Sequence, residues 1–129
     1  MPHIRATVTD PDLPADLRDT LADGLTRLAV DALGKSAART IVHLDLVPAD
    51  RYRVAGKPLP EGVRDVHLEV SITAGTNSAA EKAAFVTGAH TFLTGVLGPL
   101  ARGGVALHEL HPESYGYDGV TQFAHYRRN

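Results

Sequence analysis

The sequence predicts an α/β fold in which two tandem β-α-β repeats form one four-stranded sheet with two helices on one face. A strand-like alternation of apolar and polar side chains occurs twice, at residues 4–8 and 66–73, and each is followed by an amphipathic helix and a second strand. The two halves also match at a nearly constant offset of 63 or 64 residues. Because one such unit cannot bury its helix stripe well, two units side by side are expected.

The first unit is predicted over about residues 2–63. It opens with the strand at residues 4–8, where every second side chain is apolar. Leucines then recur at spacings of three and four until Gly34, which predicts an amphipathic helix that ends at this glycine. Residues 40–47 are rich in β-branched side chains and predict the second strand, and residues 48–56 predict a hairpin or loop. The linker carries Pro58, Pro60 and Gly62.

The second unit, about residues 64–129, repeats this order. After the strand at residues 66–73, Ser78 and Glu81 have the spacing of a capping box, which predicts the start of the second helix. That helix is expected to end near Gly98, and the fourth strand is predicted at about residues 104–110. The pairs that match at a separation of 63 include Arg39 with Arg102, Tyr52 with Tyr115, and Gly56 with Gly119.

Composition limits the classes of protein that fit. The 129 residues, of which 43% are hydrophobic and 22% charged, predict one globular domain. The absence of cysteine removes thiolate chemistry and agrees with a reducing compartment, and no apolar run is long enough for a membrane span, so we expect a cytoplasmic protein. A net charge of −2 argues against nucleic acid as a partner. His108 and His111 lie three apart on a predicted strand and face opposite sides, so no metal site is predicted.

The opening residues Met1-Pro2-His3 suggest a basic group. Removal of Met1 would turn the ring nitrogen of Pro2 from an amide into a free secondary amine at the start of the first strand. A free α-amino group has a pKa of about 7.7 to 8, and apolar burial or a nearby cation lowers it. Pro2 is therefore the candidate catalytic residue.

The chain resembles the tautomerase superfamily in the N-terminal Pro2, the two β-α-β units and the hairpin sequence Tyr115-Gly116-Tyr117-Asp118-Gly119. The opening tripeptide and residues 66–75 are most similar to 5-carboxymethyl-2-hydroxymuconate isomerase. The hairpin is closer to 4-oxalocrotonate tautomerase and its fused two-unit relatives. The resemblance implies a tautomerase-like fold and a cofactor-independent isomerase that moves a proton in a small unsaturated 2-hydroxy or 2-oxo acid.

The resemblance also implies a homotrimer with Pro2 as general base and acid, Arg39 on the substrate carboxylate or enolate, and Tyr115 on the pocket wall. Arg39 is expected to come from a neighbouring chain. Each residue also has a structural alternative: Arg39 pairs with Asp45 or closes a helix end, and the tyrosines only pack the hairpin. The further substrate-binding candidates are Tyr117, Asn77, which also suits a helix cap, and Arg102, the repeat mate of Arg39.

The chain departs from the family pattern in one respect. The family often carries an arginine in the loop after the first strand of a unit, but residues 75–78 and 10–13 contain none. This argues against a doubly charged substrate and against the decarboxylase and dehalogenase branches. An alternative function is therefore a non-catalytic trimeric binding or scaffold protein of the same fold.

Overall fold

The computed structural model describes residues 1–127 and confirms the predicted α/β fold with its four-stranded sheet and two long helices. The short helix α3 was not predicted, and Pro58, predicted as linker, lies in a two-residue strand. No helix within residues 1–127 is long and apolar enough to cross a membrane. In chain order the strands and α-helices are β1 (His3–Val8), α1 (Ala15–Leu33), β2 (Ile41–Leu46), β3 (Arg53–Val54), β4 (Lys57–Pro58), β5 (Val66–Thr73), α2 (Ala79–Leu97), β6 (Gly104–Leu110), β7 (Gly116–Tyr117), β8 (Val120–Thr121) and α3 (Gln122–Arg127).

The sheet has the strand order β2-β1-β5-β6. Its two outer pairs are parallel, as β-α-β units require, and the central pair of β1 with β5 is antiparallel. His3 pairs with Ile41 in the first unit and His67 pairs with Gly104 in the second, so first strands correspond at 64 residues and second strands at 63. The offset between the two units therefore changes from 64 to 63 residues between the first and the second strand of each unit.

The core lies between the sheet and the two helices. Ile4, Ala6 and Val8 are fully buried, as the alternation in β1 predicts, and Leu21, Leu25 and Leu33 of α1 are buried with them. Two glycines allow the helices to approach closely. A side chain at Gly24 would collide with the ring of Phe92, and one at Gly88 would collide with Leu28. These two contacts are equivalent at the 64-residue offset, so the pseudo-twofold extends to the helix packing.

The other face of the sheet carries polar side chains. Arg5 and Asp45 form an ion pair of 2.7 Å there, and Arg5 is exposed. His3 and His43 meet edge to face with ring centroids 6.2 Å apart. No helix of the described chain covers this face. The four histidines that the strand register brings to it are His3, His43, His67 and His108.

Asp65, the residue before β5, joins the two units. Its carboxylate is fully buried, and Oδ1 accepts backbone N–H groups of Arg102 at 3.0 Å and Gly103 at 2.8 Å. Its own N–H donates to Thr9 Oγ1 at 2.8 Å, at the end of β1. The second oxygen, Oδ2, meets no donor at ordinary hydrogen-bond geometry among residues 1–127. Tyr52 is close enough to interact, and burial together with this interaction raises the pKa of Tyr52 to about 12.

Replacement of Asp65 by Ala should lower the free energy of unfolding by about 2 to 3 kcal/mol, because two partly buried N–H donors lose a charged acceptor. Burial alone would raise the pKa of Asp65, but the donors of Gly103, Tyr52 and Arg102 hold it below its ordinary value. The stabilisation is therefore complete above about pH 4 and is lost as the pH falls through the lowered pKa.

Urea denaturation of wild type and Asp65→Ala between pH 3 and pH 7 measures this difference. The gap between the two proteins should shrink on acidification. Asp12→Ala is the matched control, because Asp12 is exposed and its stability effect should stay within about 0.5 kcal/mol. A gap that is equally small at all pH values would contradict the structural role of Asp65.

Candidate active site

The candidate site lies at the edge of the sheet where β1 and β2 begin and β5 and β6 end. The antiparallel pairing of β1 with β5 places His3 opposite Ser71, so the N-terminus of the chain lies beside the end of β5. Three segments meet at this edge: the Met1-Pro2 dipeptide, the turn before β2, and the hairpin β7-β8 after β6. One chain therefore combines residues of both units in a single pocket.

Pro2 directly follows Met1, which lines this pocket. Its side chain is buried, and its carbonyl accepts the backbone N–H of Ile41 at 3.0 Å, which continues the β1-β2 ladder to the first residues of the chain. Met1 lies in front of Pro2 and is half-buried. The pocket has a volume of about 240 Å³ and is lined by Met1, Ala38, Arg39, Ile41, Tyr115 and Tyr117.

Arg39 reaches the pocket from the 3₁₀ turn Ala37–Arg39 that precedes β2. Its backbone N–H donates to Ser36 O at 3.2 Å, which fixes the turn, while its side chain is exposed. Within residues 1–127 the guanidinium forms no ion pair and no side-chain hydrogen bond. The alternative that Arg39 pairs with Asp45 is wrong, because Asp45 binds Arg5. Arg39 of the same chain lines the pocket, and the expectation that a neighbouring chain supplies the arginine stays a prediction.

The electrostatics of the pocket disfavour a protonated amine. Partial burial, followed by the positive charges of Arg39 and Lys35, holds the pKa of the Met1 amine below its ordinary value. No carboxylate lines the pocket within the described chain, so nothing there offsets the two cations. An amine at this end of the chain therefore has a larger unprotonated share at neutral pH than an exposed terminus.

Lys35 is a residue that the sequence reasoning missed. It follows the left-handed Gly34 that ends α1, and its backbone N–H donates to Ala29 O at 3.1 Å. Its ammonium donates to Thr76 Oγ1 at 2.8 Å, in the loop where the family's arginine is absent. Burial lowers the pKa of Lys35. The sequence signal was a cation directly after a helix-ending glycine, but nothing local showed that it meets the loop of the other unit.

The aromatic wall is built by the hairpin. Tyr115 and Tyr117 are half-buried, with ring centroids 6.3 Å apart. Asp118 and Gly119 both have positive φ, which matches a tight hairpin turn. A side chain at Gly116 would lie 2.9 Å from the carbonyl of Val120, so this position requires glycine. The spacing aromatic-Gly-x-x-Gly thus has a direct structural cause.

Asn77 and Arg102 do not line the pocket. Asn77 donates from Nδ2 to Leu33 O at 2.9 Å and so caps the end of α1, while the start of α2 is capped by Ser78 and Glu81, as predicted. Arg102 precedes β6 and lies at the opposite edge of the sheet, because β6 begins at that edge and ends at the edge where β1 begins.

The opposite edge holds the pseudo-equivalent of the pocket. His67 corresponds to His3, and Asp65 therefore corresponds to Met1. In the same way, Arg102 corresponds to Arg39, and Tyr52 corresponds to Tyr115. The Asp65 carboxylate is bound there to backbone N–H groups and faces Tyr52. The two edges therefore have related backbones, but Asp65 has a carboxylate at the position where Met1 has an amine.

Comparison with known proteins gives the family. No family model matches the sequence. Probable tautomerase K2 of Dickeya dadantii (strain 3937) is 34% identical over 61 residues, which are 47% of this chain and 91% of that protein. That relative is therefore about as long as one of the two units. The chain belongs to the tautomerase superfamily.

Solved structures match the whole two-unit chain. The R7 fused 4-oxalocrotonate tautomerase (4-OT), an asymmetric trimer, has a TM-score of 0.85 and 25% identity, and the match covers 97% of this chain and 99% of that one. Pt0534, whose crystal structure is of the protein inactivated by 2-oxo-3-pentynoate, also has a TM-score of 0.85, with 18% identity over 95% of this chain and 98% of its own. The second likeness concerns the fold alone.

Proposed function

We propose that the protein is a cofactor-independent tautomerase in which Pro2, freed by removal of Met1, moves a proton in a small unsaturated 2-hydroxy or 2-oxo acid. The observation that carries the proposal is the pocket in front of Pro2, which joins the terminal residues with a free arginine and two tyrosines. Membership of the tautomerase superfamily supports the same reaction class.

The amine chemistry depends on the loss of Met1. While Met1 is attached, the Pro2 nitrogen is an amide and has no basic lone pair. After its removal, a secondary amine faces the volume that Met1 occupied, close to the charges that lower the pKa of the Met1 amine. Proton transfer is most efficient when the pKa of the base lies near the working pH. Arg39 and Lys35 thus tune the base as well as attract an anion.

The pocket suits a small planar acid. Arg39 can offer two parallel hydrogen bonds to a carboxylate and stays charged at any working pH. The same cation stabilises the oxyanion that develops when a proton leaves carbon or oxygen. Tyr115 and Tyr117 supply an aromatic wall, and a volume of about 240 Å³ suits a small ligand. Lys35 supplies a second positive charge from the loop side.

We propose a homotrimer. The polar sheet face with Arg5, Asp45 and the four histidines lacks a cover in the described chain, and Ile41 on this face is 52% exposed. Open outer strands β2 and β6 also favour pairing with further chains. The trimeric state of the R7 fused 4-OT supports this assembly.

Size-exclusion chromatography with light scattering should give three times the 13.7 kDa chain mass at micromolar concentration. Arg5→Glu should weaken the assembly, because it places a third acidic group beside Asp45 and Glu69. Arg18→Glu, on the exposed side of α1, is the control and should leave the mass unchanged. A monomeric wild-type protein would refute the trimer.

The identity of the base is tested with 2-oxo-3-pentynoate. The lone pair of a free Pro2 amine adds to the alkyne carbon distal to the ketone, a C–N bond forms, and the amine proton passes to the adjacent carbon, so the adduct has the summed mass. We expect one adduct per chain, mapped to Pro2 by peptide mass analysis, in protein whose intact mass shows that Met1 is absent.

A variant with Lys inserted between Met1 and Pro2 keeps its methionine and should be neither labelled at Pro2 nor active. Pro2→Ala should retain part of the activity, because a primary amine remains. Full tautomerase activity in protein that keeps Met1 would disprove the proposed mechanism and leave the fold unaffected.

Arg39→Ala should lower kcat/KM by roughly 10- to 1,000-fold, or about 1.4 to 4 kcal/mol, because a charge-assisted contact to the substrate is lost. Arg102→Ala is the matched control and should change it by less than about threefold, since Arg102 lies at the other edge of the sheet. Lys35→Met should have an intermediate effect. The measurement is a scan of unsaturated 2-hydroxy and 2-oxo acids by ultraviolet absorbance, and equal losses in the two arginine variants would overturn the assignment.

A further inference from the structure

The C-terminal helix α3 makes a double contact with the pocket wall. The imidazole of His125 stacks on the ring of Tyr117 with centroids 4.1 Å apart and planes 11° from parallel. The Nε2 atom of His125 also lies 3.1 Å from the carbonyl oxygen of Tyr117. Because a carbonyl only accepts, Nε2 carries the proton and donates it. One side chain therefore holds both the ring and the backbone of Tyr117.

The position of His125 is itself fixed, because α3 is anchored at its first residue. Gln122 is buried, and its Oε1 accepts the hydroxyl of Thr73 at 2.8 Å, at the end of β5. Its backbone N–H donates to Tyr115 O at 2.8 Å. The helix is thus tied to the central sheet and to the hairpin at once, and it brings His125 behind Tyr117.

His125 does not line the pocket, whereas Tyr117 does. A tyrosine ring on a two-residue strand has few neighbours to fix its side-chain torsions, and here the stacked imidazole covers one of its faces. Loss of the stack would free the ring to move into or out of the pocket. Such a change alters the fit of the ligand but leaves Pro2 and Arg39 untouched.

We infer that His125 is a positioning residue that holds Tyr117 as a fixed aromatic wall and thereby sets the affinity of the pocket for planar unsaturated acids. The inference rests on the proposed function, because it assigns Tyr117 to substrate binding. It goes further in naming α3, which follows the β7-β8 hairpin, as a determinant of specificity.

The kinetic test compares His125→Ala, His125→Phe and His125→Gln with 2-hydroxypenta-2,4-dienoate as the probe. His125→Ala loses the stack and the hydrogen bond, so KM should rise roughly 5- to 50-fold while kcat stays within about twofold. His125→Phe keeps a stacking ring and should recover most of the affinity. His125→Gln keeps a donor without a ring and should recover less. Tyr126→Ala, an exposed aromatic on the same helix, should behave as wild type.

Aromatic NMR of Tyr117 in the free protein gives a readout that does not depend on turnover. The ring resonances should shift and broaden or average in His125→Ala and return towards wild type in His125→Phe. Unchanged Tyr117 resonances in His125→Ala would overturn the inference, and so would a loss of kcat with no change in KM. If wild type shows neither turnover nor labelling by 2-oxo-3-pentynoate, the proposed function fails, and the NMR result alone then decides whether His125 fixes Tyr117.

Discussion

The antiparallel pairing of β1 with β5 is the interaction on which the rest of this structure depends. It is the only main contact between the two units in the sheet of the described chain, and it sets their pseudo-twofold relation. Because the two strands run in opposite directions, the sheet edge where β1 begins is the edge where β5 and β6 end. The N-terminus therefore meets a hairpin that is more than 100 residues away in the sequence. Neither β-α-β unit contains this pocket alone.

The same symmetry shows how a duplicated backbone can carry two different chemistries. At one edge, the chain terminus lies in front of a pocket with a free cation and two tyrosines. At the other edge the chain continues through Asp65, whose buried carboxylate binds the N–H groups ahead of β6. At the first edge an open pocket adjoins Met1, whereas at the second edge the Asp65 carboxylate accepts backbone N–H groups. The second edge therefore stabilises the junction of the two units, and the first has open space for a ligand.

The positive charges near the N-terminal amine, Arg39 and Lys35, come from two different elements. Arg39 comes from the turn before β2. Lys35 follows the end of α1, and its ammonium donates a hydrogen bond to Thr76 of the second unit. The loop after β5 carries no arginine of its own, yet it holds the ammonium of Lys35. The absence of one residue type from a motif thus does not define the charge of a site, because a cation from another element can occupy the same region.

Local sequence patterns determined the two units, both long helices, the four sheet strands and the glycine-dependent hairpin, since alternation, leucine spacing and capping act between near neighbours. They also selected Arg39, Tyr115 and Tyr117, which line one pocket, and Pro2, which follows the pocket residue Met1. Tertiary structure alone decided that the charge of Lys35 acts on the N-terminal amine, that Arg102 and Asn77 do not line the pocket, and that His125 stacks on Tyr117. These outcomes depend on strand direction and on contacts between distant segments, and a periodic pattern carries no information about which distant side chains meet.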